Sequence, residues 1–278
     1  MALSGEGVRQ RLIEVRGTVF WPRDVAVTKP PACPPGWHVA PPDFVGIGVQ
    51  KAGTSWWHRL ITSHPDVYTV KSLPKELHFF DNAWIGNEAD FHLERYEHFF
   101  PRPPGGKAGE NTPRYMVDFW VAPLLASVAP NTKIMAILRD PVERFHSAAG
   151  HELTHGAKMR PIVAAQAMAR GFYHQQLRGF LRHFPREQVL VLQYEQLRAD
   201  PRGELDRTLQ FLGLSPLTGQ VDFNEQVNPS RGERPHLPDV LREELVARYQ
   251  DDVARLAADF PEIDVAKWRN FRHLAVSS

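Results

Sequence analysis

Three short blocks of almost continuous apolar residues punctuate the chain, each bounded by stretches that alternate on a helical period. The first, Phe44 to Val49 (FVGIGV), is followed by a turn and then by SWWHRLITSH, an amphipathic run closed by Pro65. The second, KIMAILRD at residues 133–140, runs straight into Asp140-Pro141, where a proline in a first helical turn opens PVERFHSAAGHEL. The third lies within QVLVLQYEQL at residues 188–197; an amphipathic helix around 164–183 precedes it, and a helix ending in FLGL follows. Blocks without polar alternation are buried on both faces, and strands separated by helices predict a parallel sheet with helices on each side. The expected fold is α/β, a single-domain parallel β-sheet flanked by helices of P-loop-like type.

Composition narrows this only in places. With 278 residues, 42% hydrophobic and 23% charged, the chain is long enough and apolar enough to bury a core, which excludes disorder as its main state. Pro30, Pro31, Pro34, Pro35, Pro41 and Pro42 mark residues 1–43 as an extended arm, leaving 44–278 as the domain. Lys plus Arg number 33 against 32 Asp plus Glu, so no global field is available to hold a nucleic acid. Any anion site is therefore local. Cys33 is the only cysteine, which excludes an intramolecular disulfide. The N-terminal stretch lacks the apolar run of a secretory signal, and no segment approaches the roughly 20 apolar residues of a membrane span. A cytoplasmic protein with no membrane partner is expected.

The turn after the first strand carries the first chemistry. Gln50-Lys51-Ala52-Gly53-Thr54-Ser55-Trp56 joins a strand to a helix, where unpaired amides and the helix dipole favour an anion. Gly53 permits close backbone approach, Lys51 brings a point charge, and Thr54 and Ser55 add hydroxyls. Lys51 precedes Gly53, whereas the nucleoside-triphosphatase loop places lysine after its second glycine. At Leu138-Arg139-Asp140-Pro141 an arginine, whose planar fork suits a phosphate, precedes a helix that carries Ser147. An exposed Arg139–Asp140 pair is the plainer reading of that tripeptide.

Together these segments resemble the sulfotransferase family. The first loop is similar to its 5′-phosphosulfate loop, K-x-G-T-[ST]-W, and residues 138–147 match its L-R-D-P-x-E-R-x-x-S segment at every fixed position. The resemblance spans roughly residues 44 to 268 and includes Tyr194-Glu195 in YEQLRADP, the FLGL segment and Trp268. Lys75-Glu76-Leu77-His78-Phe79-Phe80-Asp81 resembles the K-E-x-H-F-F-D signature of the heparan-type branch, as found in soluble bacterial members.

That resemblance implies 3′-phosphoadenosine 5′-phosphosulfate (PAPS) as donor, PAP as product and no required metal. It assigns Lys51, Ala52, Gly53, Thr54 and Ser55 to the phosphosulfate, and Arg139 and Ser147 to the 3′-phosphate. Trp56 and Tyr194 go to the adenine, and Ser230, Arg231 and Gly232 to a late loop over the phosphates. Glu76 is implied as general base, Lys51 as the cation beside the leaving phosphate, and His78 as acceptor-orienting group or auxiliary base. The acceptor is expected to be a hydroxyl or amine of a small molecule or carbohydrate. One departure stands out: Gly109-Glu110-Asn111-Thr112-Pro113-Arg114-Tyr115 has Asn111 where members often carry lysine, with Arg114 as a substitute cation or acceptor contact.

Other enzyme classes compete. His151-Glu152-Leu153-Thr154-His155 matches the HExxH zinc motif, although Lys158 and Pro161 stand where a metzincin needs glycine and histidine. A binding protein that holds PAP without turnover and a small-molecule kinase are the remaining alternatives.

Overall fold

The structure, a computed structural model, describes residues 29–70, 72–80, 93–154, 161–224 and 236–275, with 151–154 described as helical backbone only. Its centre is a five-stranded sheet of β2 (Phe44–Gly48), β3 (Val67–Tyr68), β5 (Lys107–Asn111), β6 (Lys133–Leu138) and β7 (Val189–Gln193), in the order β3-β5-β2-β6-β7. Every pairing is parallel: Val45 of β2 lies opposite Glu110 on one side and Ile134 on the other, and Leu138 of β6 opposite Gln193. The three apolar blocks are β2, β6 and β7, and all five residues of β2 and of β7 are buried. Cover on both faces is why these strands carry no polar alternation.

Two strands escaped the sequence pattern. β5 reads KAGEN and β3 is two residues long, so neither has an apolar run to mark it. A two-stranded antiparallel ribbon pairs β1 (His38–Val39) with β4 (Pro101–Arg102), and ties the end of the proline-rich arm to the body. Arg102 is buried, donates to the carbonyls of Ala40 and Pro41, and pairs with Asp43 at 3.1 Å.

The helices that matter for the site begin where strands end. α1 (Thr54–Thr62) follows β2, α2 (Val121–Val128) precedes β6, and α3 (Pro141–Thr154) follows it. The predicted helix around 164–183 is two helices, α4 (Pro161–Ala169) and α5 (Tyr173–Phe180). Gly171 sits in the break, where a Cβ would lie 2.7 Å from the Tyr249 ring; close packing of that ring requires the glycine. Tyr194 opens α6 (Tyr194–Ala199) instead of continuing β7, because the ladder with β6 ends at Gln193. α7 (Pro201–Leu212) stops at Gly213, left-handed at φ 73, and α8 (Asp239–Asp259) is the longest helix among the described residues. No helix among the described residues is long and apolar enough to cross a membrane.

Asp140 does not form the exposed pair that the plainer reading allowed. It is 1% exposed and caps α3, accepting from the amides of Val142 at 3.0 Å and Glu143 at 3.3 Å. Its other oxygen accepts from both the backbone and side-chain nitrogens of Asn270, which pins the C-terminal segment to the end of β6. Replacing Asp140 with Ala is expected to lower the unfolding free energy by about 2 kcal/mol, as measured by urea titration, because a cap and two buried donors lose their acceptor.

Candidate active site

Both sequence-predicted anion loops emerge from neighbouring strands at the same edge of the sheet. In the β2–α1 turn Lys51 (φ 70) and Gly53 (φ 80) are left-handed, a backbone combination that curls amides into an anion-binding concavity. Gly53 can be nothing larger: besides its φ, a Cβ there would sit 3.0 Å from the Tyr194 ring. Ala52, Thr54 and Trp56 are buried, which fixes the loop from beneath, while Lys51 and Ser55 are partly exposed.

Arg139, at the end of β6, joins the two loops. Its Nη1 donates to the carbonyl of Lys51 at 3.0 Å, and its guanidinium lies 5.0 Å from the centre of the Tyr194 ring. The Tyr173 hydroxyl donates to the Arg139 carbonyl at 2.8 Å. Ser147 is buried on α3, and the Trp56 ring lies under the guanidinium of Arg198 at 5.4 Å. Glu195, next to Tyr194, accepts from the Asp140 amide and from Trp268 Nε1, so it braces the β6 loop.

The segment 72–80 brings a carboxylate to these loops. Lys75 Nζ donates to Ser55 Oγ at 2.5 Å and pairs with Glu76 at 2.8 Å, so one ammonium links the phosphate-type loop to the candidate base. Sequence reasoning saw Lys75 only as a neighbour of Glu76; nothing in the spacing marks its contact with Ser55, 20 positions earlier. His78 Nε2 lies 3.4 Å from the other Glu76 oxygen. The two meet because the segment is not regular here, with His78 at φ 52. Burial pushes the Glu76 pKa up, but the hydrogen bonds from His78 and Lys75 and their charge outweigh it, and the net shift is downward.

What holds this turn is the GENTPRY segment. Glu110 is buried and accepts from Tyr96 at 2.6 Å, Thr112 at 2.6 Å and Tyr115 at 3.1 Å, with a further bond from the Leu77 amide. Burial drives its pKa up against those donors. The Tyr115 hydroxyl in turn accepts from the Phe79 amide at 2.9 Å, and Trp120 Nε1 donates to the Phe80 carbonyl at 3.1 Å. The segment is thus a scaffold beneath the turn that carries Glu76.

Asn111 is buried over Gly46, where a Cβ would lie 2.3 Å from its Oδ1, and its Nδ2 has no hydrogen-bond partner. Arg114, the substitute cation considered for that position, pairs with Asp118 at 2.9 Å. Arg144, also in the matched segment, is fully buried and donates to the Ala167 carbonyl between α3 and α4.

Ser230, Arg231 and Gly232 lie outside the described residues, as do Asp81 and His155. His151 is on α3, and only its backbone is described. Among the described residues no group of three His, Cys, Asp or Glu side chains is arranged to hold a metal.

The candidate site is thus two loops at adjacent strand ends, with the Glu76 carboxylate bridged to one of them by Lys75. Residues 41–229, more than half of the chain, match the sulfotransferase domain family, and the chain belongs to it. It is 32% identical over 201 residues to human heparan sulfate glucosamine 3-O-sulfotransferase 3B1, covering 66% of this chain and 48% of that protein. A mouse bifunctional heparan sulfate N-deacetylase/N-sulfotransferase 4 is 28% identical, covering 63% of this chain and 22% of that protein. The chain thus spans about half or less of these curated relatives. Among solved structures, a sulfotransferase from Alicyclobacillus acidocaldarius superposes with a TM-score of 0.65 at 28% identity, covering 83% of this chain and all of that one. The sulfotransferase domain of the curacin biosynthetic pathway, at TM-score 0.51 and 14% identity, shares the fold.

Glu110→Ala is expected to destabilise the protein by about 3 kcal/mol in chemical denaturation, since it strands two buried tyrosine hydroxyls and the Thr112 hydroxyl. Glu110→Gln, which keeps an acceptor, is expected to cost less than half as much.

Proposed function

We propose that this chain transfers a sulfuryl group from PAPS to a hydroxyl or amine of a small-molecule or carbohydrate acceptor. The observation that carries the reading is the Lys75 bridge, which places the Glu76 carboxylate one ammonium away from Ser55 of the phosphate-type loop. A base and an anion cradle in that relation suit an in-line transfer, in which nucleophile and leaving group flank one reacting centre.

In this reading Glu76 takes the acceptor proton as the acceptor oxygen or nitrogen bonds to sulfur. The bond between sulfur and the bridging oxygen of the 5′-phosphate breaks, releasing PAP, and Lys51 steadies the charge that collects on the leaving phosphate. Ala52, Gly53, Thr54 and Ser55 hold the phosphosulfate end of the donor. Arg139 and Ser147 take the 3′-phosphate, and Trp56 and Tyr194, the latter already beneath the Arg139 guanidinium, flank the adenine. His78 orients the acceptor and, by its contact with Glu76, keeps the base ionised. The names of the heparan sulfate relatives support a carbohydrate acceptor, while Asn111 at the usual lysine position argues for an acceptor different from theirs.

Calorimetric titration tests the donor assignment: PAP is expected to bind tightly, adenosine monophosphate at least about tenfold more weakly, and Arg139→Ala is expected to erase that difference. Preference for ATP, or indifference to the 3′-phosphate, would defeat the reading. Glu76→Gln is expected to keep PAP affinity while losing about a hundredfold or more in turnover.

The pH profile follows from the sign of the Glu76 shift. A depressed carboxylate pKa keeps the proton-accepting form, and its contribution to stability, until pH falls below the ordinary glutamate range. The acid limb of kcat/KM is therefore expected below that range, and His78→Ala is expected to move it upward.

A further inference from the structure

Behind the candidate base lies a cavity of about 230 Å3 that none of the anion-loop residues lines. It is bounded by His58 and Thr62 on α1, by Leu73 and Lys75 of the base-bearing segment, and by Phe99 and Glu110. A cavity of about 150 Å3 is enough for a benzene ring, so this one takes a six-membered ring with a few further heavy atoms.

The charged groups around it are already answered. Lys75 is engaged by Ser55 and Glu76, and Glu110 by the hydroxyls of Tyr96, Thr112 and Tyr115. His58 differs. Its Nδ1 is buried with no hydrogen-bond partner, and its ring contact among the described residues is a tilted approach to Phe44 at 6.5 Å. Burial, helped by the Lys75 charge and opposed by Glu76, holds its pKa down at about 4, so the imidazole is neutral at physiological pH. His58 is nonetheless only half-buried by surface and lines the cavity; with Nδ1 enclosed, Nε2 is the ring nitrogen left open to an occupant. A neutral imidazole offers one donor and one acceptor, and a hydroxyl complements either tautomer. An ionic ligand would find no counter-charge there.

We propose that this cavity is a second small-molecule site, for a compact neutral aromatic ring bearing a hydroxyl, with the ring among Leu73 and Phe99 and the hydroxyl on the His58 imidazole. An occupant rests against the Lys75 stem, the side chain that ties Glu76 to Ser55. The inference does not depend on the proposed reaction.

Phenol is the probe, with toluene and benzoate as controls, titrated into the full chain by calorimetry while PAP binding and a urea melt report integrity. Phenol is expected to bind saturably, toluene about tenfold more weakly for want of one hydrogen bond, and benzoate more weakly still. His58→Leu is expected to remove the preference for phenol over toluene, and Thr62→Trp, which fills the cavity from α1, is expected to remove both. Each variant is expected to retain a cooperative melt; if the tryptophan variant does not, the selectivity lost in His58→Leu decides. Absence of saturable phenol binding, benzoate binding as tight as phenol, or phenol selectivity unchanged in His58→Leu would overturn the proposal. Phenol binding that survives in a folded Thr62→Trp would do so too, and would place the phenol in the acceptor cleft instead.

Discussion

The parallel pairing of β2 with β6 is the constraint on which the rest of the site depends. Val45 lies opposite Ile134 and Gly48 opposite Ala136, so the two strands finish side by side and their following loops open at one edge of the sheet. Ligands of open α/β sheets gather at that edge because helix N-termini and unpaired amides converge there. The Arg139 bond to the Lys51 carbonyl then turns two adjacent loops into one surface. A slip of one residue between these strands would move every side chain of one strand to the opposite face and carry its following loop out of line with its neighbour.

On that surface the electrostatics are local. A chain with nearly balanced charge has no far-reaching field, so an anion must be drawn by a few cations held close together. Lys51, Lys75 and Arg139 come from three different segments, and two of them are held by partners that fix their position: Lys75 by Ser55 and Glu76, Arg139 by the Lys51 carbonyl and the Tyr194 ring. Preorganisation of this kind matters more than the number of cations, because the cost of collecting like charges is met by folding and not at the moment of reaction.

Beneath the base, Glu110 does for the 76–80 turn what Asp140 does for the start of α3. Each is a buried carboxylate that collects donors from distant parts of the chain and thereby fixes a segment with little regular structure of its own. The cost of burying each carboxylate appears as a raised pKa, and the hydrogen bonds offset it. The cavity with His58 is lined by Lys75 and Leu77 of the same segment and by Glu110, so it shares a wall with this scaffold.

The alternation of apolar blocks with helical stretches determined the α/β class and three of the five strands, because a strand covered on both faces must be apolar throughout. The glycine of residues 50–56 and the Asp-Pro step at 140–141 marked both strand-to-helix loops for a similar reason: a turn and a helix start need those residue types at fixed local spacing. β3 and β5 stayed hidden, since their places in the sheet come from pairing partners and not from their own composition. Tertiary structure alone decided that Lys75 reaches Ser55, that Glu110 carries the base-bearing turn, that Arg114 is held by Asp118, and that His58 faces a cavity. Contacts between distant residues leave no local pattern, because what selects them is the burial and hydrogen-bond geometry of the assembled fold.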